Sequence, residues 1–384
     1  MFQLPTVQFT EEQETFRLEV RNFLQAHIKK GTFTPAIDSW LSGVDPSFSK
    51  LIGEKGWIGL TWPKKYGGQE RSTLDRYILT EEFLAAGAPV AAHWFADRQT
   101  GPLLLRYGTE EQKQFFLPKI AKGECYFAIG LSEPNSGSDL ASIRTKAEKV
   151  EGGWIVNGQK IWTSNAHVCH YMVALVRTSP YDEKKKHSGL SQLIIDLNAE
   201  GVTIVPIKFL SGEYHFNEVF FDNVFVPDNM VVGETGNGWE QGLAELAFER
   251  SGPERILSTY LLLEELIKEL KHQKNKDGLK QATKLLAQLW ALRNLSIGVA
   301  KLLESGNAED VAIPASLVKA IGTKFEQSIP EIARLLVETY PNLEAKRKFD
   351  RYMAQAILHA PSFTIRGGTT EILYGMVAKG VVEK

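Results

Sequence analysis

The sequence predicts an α+β protein with an N-terminal all-α domain at residues 1–122, a middle β-barrel domain at 123–234 and a C-terminal four-helix bundle at 235–384. Two patterns lead to this fold class. Apolar residues recur at helical spacing in the first and last ranges, whereas short apolar runs separated by turn residues fill the middle. The length of 384 residues agrees, because one hydrophobic core rarely extends over so long a chain.

The N-terminal domain opens with a capping box, Thr10-Glu-Glu-Gln13, whose side chains can satisfy the first free amides of a helix. The residues behind it place an apolar stripe on one helix face: Phe16, Val20, Phe23, Leu24 and Ile28. Further helices are expected around residues 74–86, 98–107 and 110–120.

The middle domain is predicted from short strands. An apolar run ends at Glu133-Pro134, and residues 142–150 alternate charged residues with small or apolar ones. More strand candidates follow at 171–176, 191–196, 202–206 and 217–222, a series that favours a small barrel or a sandwich. Lys184-Lys-Lys-His187 lies between two of these strands. It is most simply a solvated loop, with a phosphate-binding loop as the alternative.

The C-terminal domain returns to helical periodicity after Gly238. Four helical runs are expected, at residues 256–270, 285–297, 314–340 and 345–358. Four long helices that follow one another in this way favour an antiparallel bundle.

Composition excludes several classes of protein. Hydrophobic residues make up 43% and charged residues 23%, and the net charge of -2 gives no general attraction to nucleic acid or to an anionic membrane. No apolar span is long enough for insertion into a membrane. The two cysteines, Cys125 and Cys169, lack the spacing of a metal site or a disulfide framework, so no metal is expected and the predicted location is cytoplasmic.

Motifs along most of the chain resemble those of one enzyme family. The central ones are Leu131-Ser132-Glu133-Pro134, Gly137-Ser138-Asp139 and Asn157-Gly-Gln-Lys-Ile-Trp162 with Ser164-Asn165. Tyr107-Gly-Thr-Glu-Glu-Gln-Lys precedes them, and Phe216-Asn-Glu-Val-Phe-Phe-Asp-Asn-Val-Phe-Val-Pro227 and Gly238-Trp239 follow. In this order they resemble the acyl-CoA dehydrogenase family, flavoenzymes that oxidise fatty acyl-CoA thioesters to 2-enoyl-CoA. The resemblance implies a role in fatty acid β-oxidation and lipid metabolism, a tetramer, and an electron-transfer flavoprotein as electron acceptor.

The implied reaction requires a cofactor, because protein side chains cannot accept a hydride. No Gly-x-Gly-x-x-Gly follows a strand, so a Rossmann-type nucleotide site is not expected. The resemblance implies FAD, bound by residues at the family's positions: Ile129, Leu131, Ser132, Ser138, Trp162 and Ser164. Ser138 also falls where the family contacts the CoA portion of the acyl-CoA substrate. Taken singly, these side chains have simpler interpretations as turn residues or a buried aromatic.

Gly367-Gly368-Thr369-Thr370 is expected to open a last helix. By resemblance, Thr369 and Glu371 meet FAD near its diphosphate and adenosine, across a subunit contact. Free amides at a helix start suit an anion. A glycine-led helix start without a ligand is the equal alternative.

The catalytic base is expected at Glu249. Most members of the family carry a glutamate late in the chain, directly before Gly-Thr, but Gly367 occupies that place here. A minority carry the base on the first bundle helix, in a segment ending Glu-Arg, which Leu246-Ala-Phe-Glu249-Arg250 matches. The resemblance therefore assigns Glu249 as base and Arg250 to substrate binding. Two alternatives stay open: an ordinary surface Glu249 paired with a basic neighbour, and Glu254 as the base.

One family motif is missing. Many members carry Arg-x-x-Phe-Gly in the bundle, which reaches the FAD diphosphate of a neighbouring subunit, but this chain has no phenylalanine between residues 249 and 324. Other residues or a different companion subunit would have to bind the diphosphate. The expected assembly is therefore a homotetramer or a hetero-oligomer with a related subunit.

The sequence thus predicts FAD-dependent α,β-dehydrogenation of an acyl-CoA thioester, with Glu249 as the base for the α-proton and flavin as the hydride acceptor. Two rivals remain. A non-catalytic structural subunit of a hetero-oligomeric dehydrogenase would explain the absent late glutamate and arginine motif. A flavin oxidase or hydroxylase on the same fold would consume oxygen rapidly once reduced.

Overall fold

The computed structural model of the protein describes residues 4–242, 250–304 and 308–382. The chain divides into two compact units. Met1–Gly43, Arg71–Pro89 and Ala247–Lys384 form the first, called the helical unit below, and Val44–Glu70 with Val90–Leu246 form the second, called the sheet unit. The division into three domains at residues 122 and 234 stays a prediction.

The helical unit contains the N-terminal helix and the C-terminal helices that the sequence predicts. Its helices are α1 (Glu11–Lys30), α2 (Ser39–Ser42), α4 (Thr73–Ala85), α8 (Tyr260–His272), α9 (Lys276–Leu303), α10 (Ala308–Leu336), α11 (Lys348–His359) and α12 (Thr370–Val382). A 3₁₀ turn at Pro253–Arg255 delays the first predicted C-terminal helix until Tyr260. No helix in the described ranges combines the length and the apolar character needed to span a membrane.

Helix α1 begins at the capping box. Thr10 Oγ1 accepts a hydrogen bond from the Gln13 amide at 3.2 Å, and Gln13 Oε1 accepts one from the Thr10 amide at 3.1 Å. The helix ends before Gly31, whose φ of 70° is easily adopted without a Cβ. The apolar stripe faces the interior, where three of its members are buried: Phe16, Val20 and Leu24.

Helices α9 and α10 share a core of small and β-branched side chains. Its buried members are Val299 on α9 and Val311, Ala315 and Val318 on α10. Side chains of this size let two helix backbones approach closely, so α9 and α10 pack directly against each other.

Within the described residues, the sheet unit contains an eight-stranded sheet and several helices. The helices include α3 (Pro46–Glu54), α5 (Ala91–Phe95), α6 (Gly101–Tyr107) and α7 (Glu110–Ala121). The strands are β1 (Phe127–Gly130), β2 (Lys146–Val150), β3 (Gly153–Ser164), β4 (Tyr171–Arg177), β5 (Leu190–Asp196), β6 (Val202–Ile207), β7 (Phe216–Pro227) and β8 (Val231–Val232). All four strands predicted after residue 170 are present. The helix predicted at 98–107 begins with a π-helical turn, Ala96–Thr100.

The sheet is open, so the predicted β-barrel is wrong. The strand order is β6-β7-β3-β2-β4-β5-β8, and β1 pairs with β4 in parallel. A barrel requires two partners for every strand. Within the described residues, β6 pairs with β7 alone and β8 with β5 alone. Strand β8 contains two residues, which leaves too few backbone groups to carry the ladder around to β6.

One face of the sheet carries a buried cluster of apolar side chains. Its members alternate along the strands and include Met172, Ala174 and Val176 on β4, Leu193 and Ile195 on β5, and Val219 and Phe221 on β7. Because successive side chains of a strand point to opposite faces, the residues between them lie on the other side of the sheet.

Candidate active site

Two of the predicted flavin segments lie side by side in the sheet unit. The Ile161 amide in β3 donates a hydrogen bond to Ser132 O at 2.9 Å. Lys160 Nζ donates to Leu131 O at 3.1 Å. Tertiary structure therefore brings Leu131 and Ser132 against the strand segment that carries Trp162.

A buried ion pair holds these segments together. Lys160 is fully buried, and its Nζ lies 2.8 Å from Glu133 Oε1. The Glu133 carboxylate also accepts hydrogen bonds from the amides of Arg144 and Thr145, at 2.7 and 2.9 Å. The sequence motifs did not assign either residue a role in the site, although a lysine at an inward strand position is a detectable sign of a buried partner.

The electrostatics of the pair favour its charged form near neutral pH. Burial raises the pKa of Glu133, but Lys160 and the two backbone amides outweigh burial and hold that pKa below its ordinary value. Burial lowers the pKa of Lys160 to about 8, against the attraction of Glu133. Removal of either partner would leave a buried charge uncompensated, so the loop at residues 131–133 depends on both.

Ser132 presents hydrogen-bond donors that are not used by the fold. Among the residues that the structure describes, none accepts a hydrogen bond from the Ser132 amide or hydroxyl, and the residue is only partly buried. The flavin ring of FAD carries two carbonyl oxygens and unprotonated ring nitrogens that accept hydrogen bonds, and one ring N–H that donates. The donor set at Ser132 therefore fits the polar edge of a flavin.

Trp162 is an exposed aromatic in a strained backbone conformation. The residue is 53% exposed, and its φ of 59° lies in the left-handed region that bulky residues rarely adopt. It sits at a register shift between Lys160 and Thr163 in the pairing of β3 with β7. The indole meets the Phe216 ring edge to face, with centroids 6.2 Å apart. Strain of about 1–3 kcal/mol at an exposed aromatic points to a functional position.

Three more residues that the sequence predicts as FAD or CoA contacts belong to the sheet unit: Ile129, Ser138 and Ser164. Ile129 is the partly exposed position of β1, and Ser164 is the last residue of β3. Ser138 is exposed in a loop that a hydrogen bond of 2.8 Å between the hydroxyls of Ser136 and Ser142 closes. The assignment of these residues to FAD and CoA stays a prediction.

In the helical unit, Arg250 lies against the loop that carries Gly367 and Gly368. A Cβ on Gly368 would lie 3.5 Å from Arg250 Nη2, an ordinary contact distance. Arg250 Nη1 lies 3.6 Å from Met376 Sδ. Lys319, fully buried on α10, donates a hydrogen bond to the Gly368 carbonyl oxygen. Two basic side chains therefore flank the backbone next to the position where Gly367 replaces the expected glutamate.

A buried bidentate ion pair anchors the same loop. Arg366 Nη1 and Nη2 each lie 2.7 Å from a carboxylate oxygen of Asp38. The Arg366 guanidinium also covers the Trp40 ring, with Cζ 4.6 Å from its centroid. Burial raises the pKa of Asp38, but Arg366 and His359 outweigh burial and hold it well below its ordinary value. Because Arg366 directly precedes Gly367, this pair fixes the path of the chain into α12.

A second buried carboxyl lies near this pair. Glu326 on α10 is fully buried; Oε1 accepts a hydrogen bond from the Ser258 amide at 2.6 Å, and Oε2 has no partner among the described residues. Burial raises the pKa of Glu326 to about 8, with Asp38 acting in the same direction and Arg366 in the opposite one. Glu326 is therefore mainly protonated at pH 7.

The substitution Glu326→Gln is expected to reduce the pH dependence of stability. A carboxyl whose pKa rises from 4.5 to about 8 on folding stabilises the folded state fully below pH 4.5, and this contribution is lost as the pH rises toward about 8. The slope approaches about 1.4 kcal/mol per pH unit. Glutamine keeps the acceptor without the charge, so the urea midpoint of the variant should exceed that of the wild type at pH 8, and the gap should narrow at pH 5.

The control for this experiment is Glu331→Gln, which changes an exposed glutamate on the same helix. Its urea midpoints should follow the wild type at both pH values. A Glu326→Gln variant that follows the wild type equally closely would show that Glu326 is not protonated in the folded protein.

Helix α12 begins with a threonine cap. The Ile372 amide donates to Thr369 Oγ1 at 3.4 Å, and the Leu373 amide donates to Thr369 O at 3.1 Å. One of the free amides of the helix is thereby satisfied from within the chain, as in an ordinary helix start. Glu371 is exposed in the first turn. Contact of Thr369 and Glu371 with FAD stays a prediction.

The predicted base, Glu249, lies outside the described residues. Its rival Glu254 lies in the 3₁₀ turn that precedes α8 and is 1% exposed.

Within the described ranges, no group of three or more His, Cys, Asp or Glu residues could hold a metal ion. Both cysteines are free thiols. Burial raises the pKa of the Cys125 thiol to about 12, so this thiol is a poor nucleophile at neutral pH.

Family descriptions match two consecutive parts of the chain. "Acyl-CoA dehydrogenase, N-terminal domain" covers residues 10–124, and "Acyl-CoA dehydrogenase, middle domain" covers residues 128–224. Acyl-CoA dehydrogenase FadE26 of Mycobacterium tuberculosis is 32% identical to this chain, over 98% of this chain and 98% of its own length. Acyl-CoA dehydrogenase IpdE1 of the same organism is 30% identical, over 97% and 98% respectively.

Solved structures resemble the chain over its whole length. The "Tcur3481-Tcur3483 steroid ACAD" has a TM-score of 0.86 at 27% identity and covers 98% of both chains. The ChsE4-ChsE5 complex from Mycobacterium tuberculosis has a TM-score of 0.84 at 29% identity and covers 99% of both chains. Sequence motifs, matched domains and full-length relatives agree, and the chain belongs to the acyl-CoA dehydrogenase family of FAD-dependent oxidoreductases.

Proposed function

We propose that the protein catalyses the α,β-dehydrogenation of an acyl-CoA thioester to the trans-2-enoyl-CoA, with FAD as its cofactor. Membership of the family supports the reaction class. The observation that carries the proposal is the surface formed by Ser132 and Trp162, where unused donors and an exposed, strained aromatic are held together by the Glu133–Lys160 pair.

Each residue of this surface has a role toward the flavin. FAD, when bound, supplies the acceptor for the hydride that leaves the β-carbon. Ser132 donates hydrogen bonds through its amide and hydroxyl, and Trp162 covers the ring and keeps water away from it. Ile129 and Leu131 provide apolar contacts, and Ser164 provides a hydroxyl at the end of β3.

Glu249 removes the α-proton in this proposal. A glutamate with an ordinary pKa of about 4.3 is a weak base for such a proton, so exclusion of water by the bound substrate has to raise its basicity. Arg250, whose guanidinium lies against Gly368, binds the substrate. Thr369 and Glu371 contact the adenosine and diphosphate end of FAD.

We also propose that a related second subunit completes the assembly. This chain lacks the Arg-x-x-Phe-Gly motif that many members of the family direct at the FAD diphosphate of a neighbour. Two similar solved structures carry names that join two proteins, Tcur3481-Tcur3483 and ChsE4-ChsE5. A hetero-oligomer is therefore favoured over a homotetramer. The proposed electron acceptor is an electron-transfer flavoprotein, and the proposed location is the cytoplasm.

The test is an anaerobic titration with acyl-CoAs. The chain would be purified alone and with a co-expressed related subunit, and its visible spectrum recorded before and after addition of straight-chain, branched and steroid CoA esters. The steroid ester is included because one similar structure is named a steroid ACAD. We expect at least one ester to bleach the flavin absorbance, and the two-subunit preparation to retain more FAD than the chain alone.

Other outcomes contradict parts of this proposal. A flavin that no ester bleaches would exclude the dehydrogenation. Rapid oxygen consumption by the reduced protein would indicate an oxidase or a hydroxylase. Full activity of the two-subunit preparation after removal of Glu249 would make this chain a structural subunit, with the base on its companion.

A further inference from the structure

Lys160 is bonded to the peptide unit that carries the Ser132 amide. Its Nζ donates a hydrogen bond to Leu131 O at 3.1 Å and lies 2.8 Å from Glu133 Oε1. The Leu131 carbonyl and the Ser132 N–H belong to one peptide bond, and in a trans peptide these two groups point in opposite directions. The ammonium therefore holds one end of this peptide, and the Ser132 N–H is the other end.

The fold makes room for the lysine stem at this place. Gly130 is the last residue of β1, and a Cβ there would lie 3.3 Å from Lys160 Cγ and 2.6 Å from Met172 Sδ. Lys160 is fully buried, so water screens the field of its ammonium only weakly. The sheet thus fixes both the position of the charge and its effect on the peptide.

A backbone hydrogen bond fixes the next carbonyl of the same loop. Ser132 O accepts a hydrogen bond from the Ile161 amide at 2.9 Å. Ser132 is therefore held through the carbonyl on each side of its Cα, one bonded to the side chain of Lys160 and the other to the backbone of β3. These two contacts give the Ser132 N–H one direction.

The partner carboxylate does not cancel the lysine charge at this peptide. Glu133 also accepts hydrogen bonds from two backbone amides, and it acts on the buried Arg177, whose pKa burial lowers and Glu133 raises. Among the residues that the structure describes, the Lys160 ammonium has two acceptors, Glu133 and Leu131 O. The Leu131 carbonyl therefore stays polarised, and a polarised peptide is a stronger hydrogen-bond donor through its N–H.

We propose that Lys160 is a positioning residue that strengthens the Ser132 N–H as a donor to the flavin ring and thereby favours the reduced flavin. This inference rests on the proposed function, because FAD is its cofactor. Reduction adds negative charge to the acceptor atoms of the ring, so a donor polarised by a cation stabilises the reduced form more than the oxidised form. Lys160 itself contacts neither flavin nor substrate, since its charge acts through the peptide.

The test measures the two-electron midpoint potential of bound FAD by equilibration with a redox dye. It uses the full chain, with its companion subunit where FAD retention requires one. The variants are Lys160→Met and a neutral pair, Glu133→Gln with Lys160→Met. The neutral pair removes the cation without leaving a buried carboxylate uncompensated, so it serves if Lys160→Met fails to fold. The matched control is Lys146→Met, which removes an exposed lysine from the neighbouring strand β2.

We expect the neutral pair to bind reduced FAD about ten-fold more weakly relative to oxidised FAD, which lowers the midpoint potential by about 30 mV. Lys146→Met should keep the wild-type potential. A purely structural role of Lys160 would reduce stability and FAD affinity but leave the potential unchanged. A wild-type potential in the neutral pair would therefore overturn the proposal.

The pH dependence of this difference separates the charge of Lys160 from its shape. Burial lowers the pKa of Lys160 to about 8, so the ammonium is present at pH 7 and largely lost at pH 9. The neighbouring charges do not change in this range, because Arg177 stays protonated and the pKa of Glu133 lies below its ordinary value. The gap in potential between wild type and neutral pair should be wide at pH 7 and narrow at pH 9. An equal gap at both pH values would contradict an effect of the charge.

Two further outcomes separate this inference from the proposed function. The expected shift in potential, in a protein whose flavin no acyl-CoA bleaches, would refute the dehydrogenase function and leave the role of Lys160 intact. Equal potentials in a protein whose flavin acyl-CoA does bleach would refute the role of Lys160 alone. Failure to bind FAD, even with the companion subunit, would refute both.

Discussion

Replacement of Glu249 with glutamine is expected to slow reduction of the flavin by acyl-CoA about 10³-fold, within the range of about 10²–10⁴ that general acid–base catalysis contributes. Glutamine preserves the shape of the side chain but cannot accept the α-proton. Acyl-CoA should still bind, because glutamine leaves the remaining contacts in place. The rate would be measured by anaerobic stopped-flow absorbance on the complete assembly, and the affinity by calorimetry.

The comparison variant is Glu254→Gln, which removes the rival carboxylate from the turn before α8. Its reduction rate should stay within a few-fold of the wild type once its folding has been checked by circular dichroism. The opposite result, with a fast Glu249→Gln variant and a slow Glu254→Gln variant, would make Glu254 the base.

A glutamate introduced in place of Gly367 gives a second check on the assignment of Glu249 as the base. Gly367→Glu in the Glu249→Gln background places a carboxylate where most of the family carries one. The φ of Gly367 is 67°, a conformation that costs a residue with a Cβ about 1–2 kcal/mol, so only part of the rate should return. Recovery would show that the lost function was proton transfer rather than folding.

Substitution of one member of the Glu133–Lys160 pair is expected to destabilise the protein by about 3–5 kcal/mol, because it leaves the other buried charge without its partner. Glu133→Gln also weakens the acceptors for the amides of Arg144 and Thr145. Urea denaturation followed by fluorescence measures the stability, and FAD retention measures the effect on Ser132. We expect both to fall in Glu133→Gln and in Lys160→Met.

The double variant Glu133→Gln with Lys160→Met tests whether the pair itself is responsible. Two neutral side chains should be less destabilising together than the sum of the single substitutions, since neither leaves an unpaired charge. Additive losses would show that the two residues act independently and that the loop at residues 131–133 is held by other contacts.

Local patterns were sufficient to predict most elements of secondary structure. Helix α1 begins at Thr10 because the capping box satisfies its own amides within a few residues, and α12 begins after Gly367-Gly368 because glycines permit the turn. The closure of the sheet depends instead on distant pairings. The pattern at residues 202–206 predicts strand β6, but it does not specify that β6 and β8 each end with a single partner.

The sequence by itself determined the family and most elements of secondary structure, since these depend on residue types in a fixed order along the chain. Tertiary structure alone decided how Glu133, Lys160 and Ser132 cooperate, and that Arg250 and Lys319 flank Gly368. It also joined two distant loops through Arg177, whose guanidinium donates hydrogen bonds to the carbonyl oxygens of Ala141 and Ser188. The physical reason is that a buried charge requires a partner, and that partner can come from any part of the chain that the fold brings within hydrogen-bond distance.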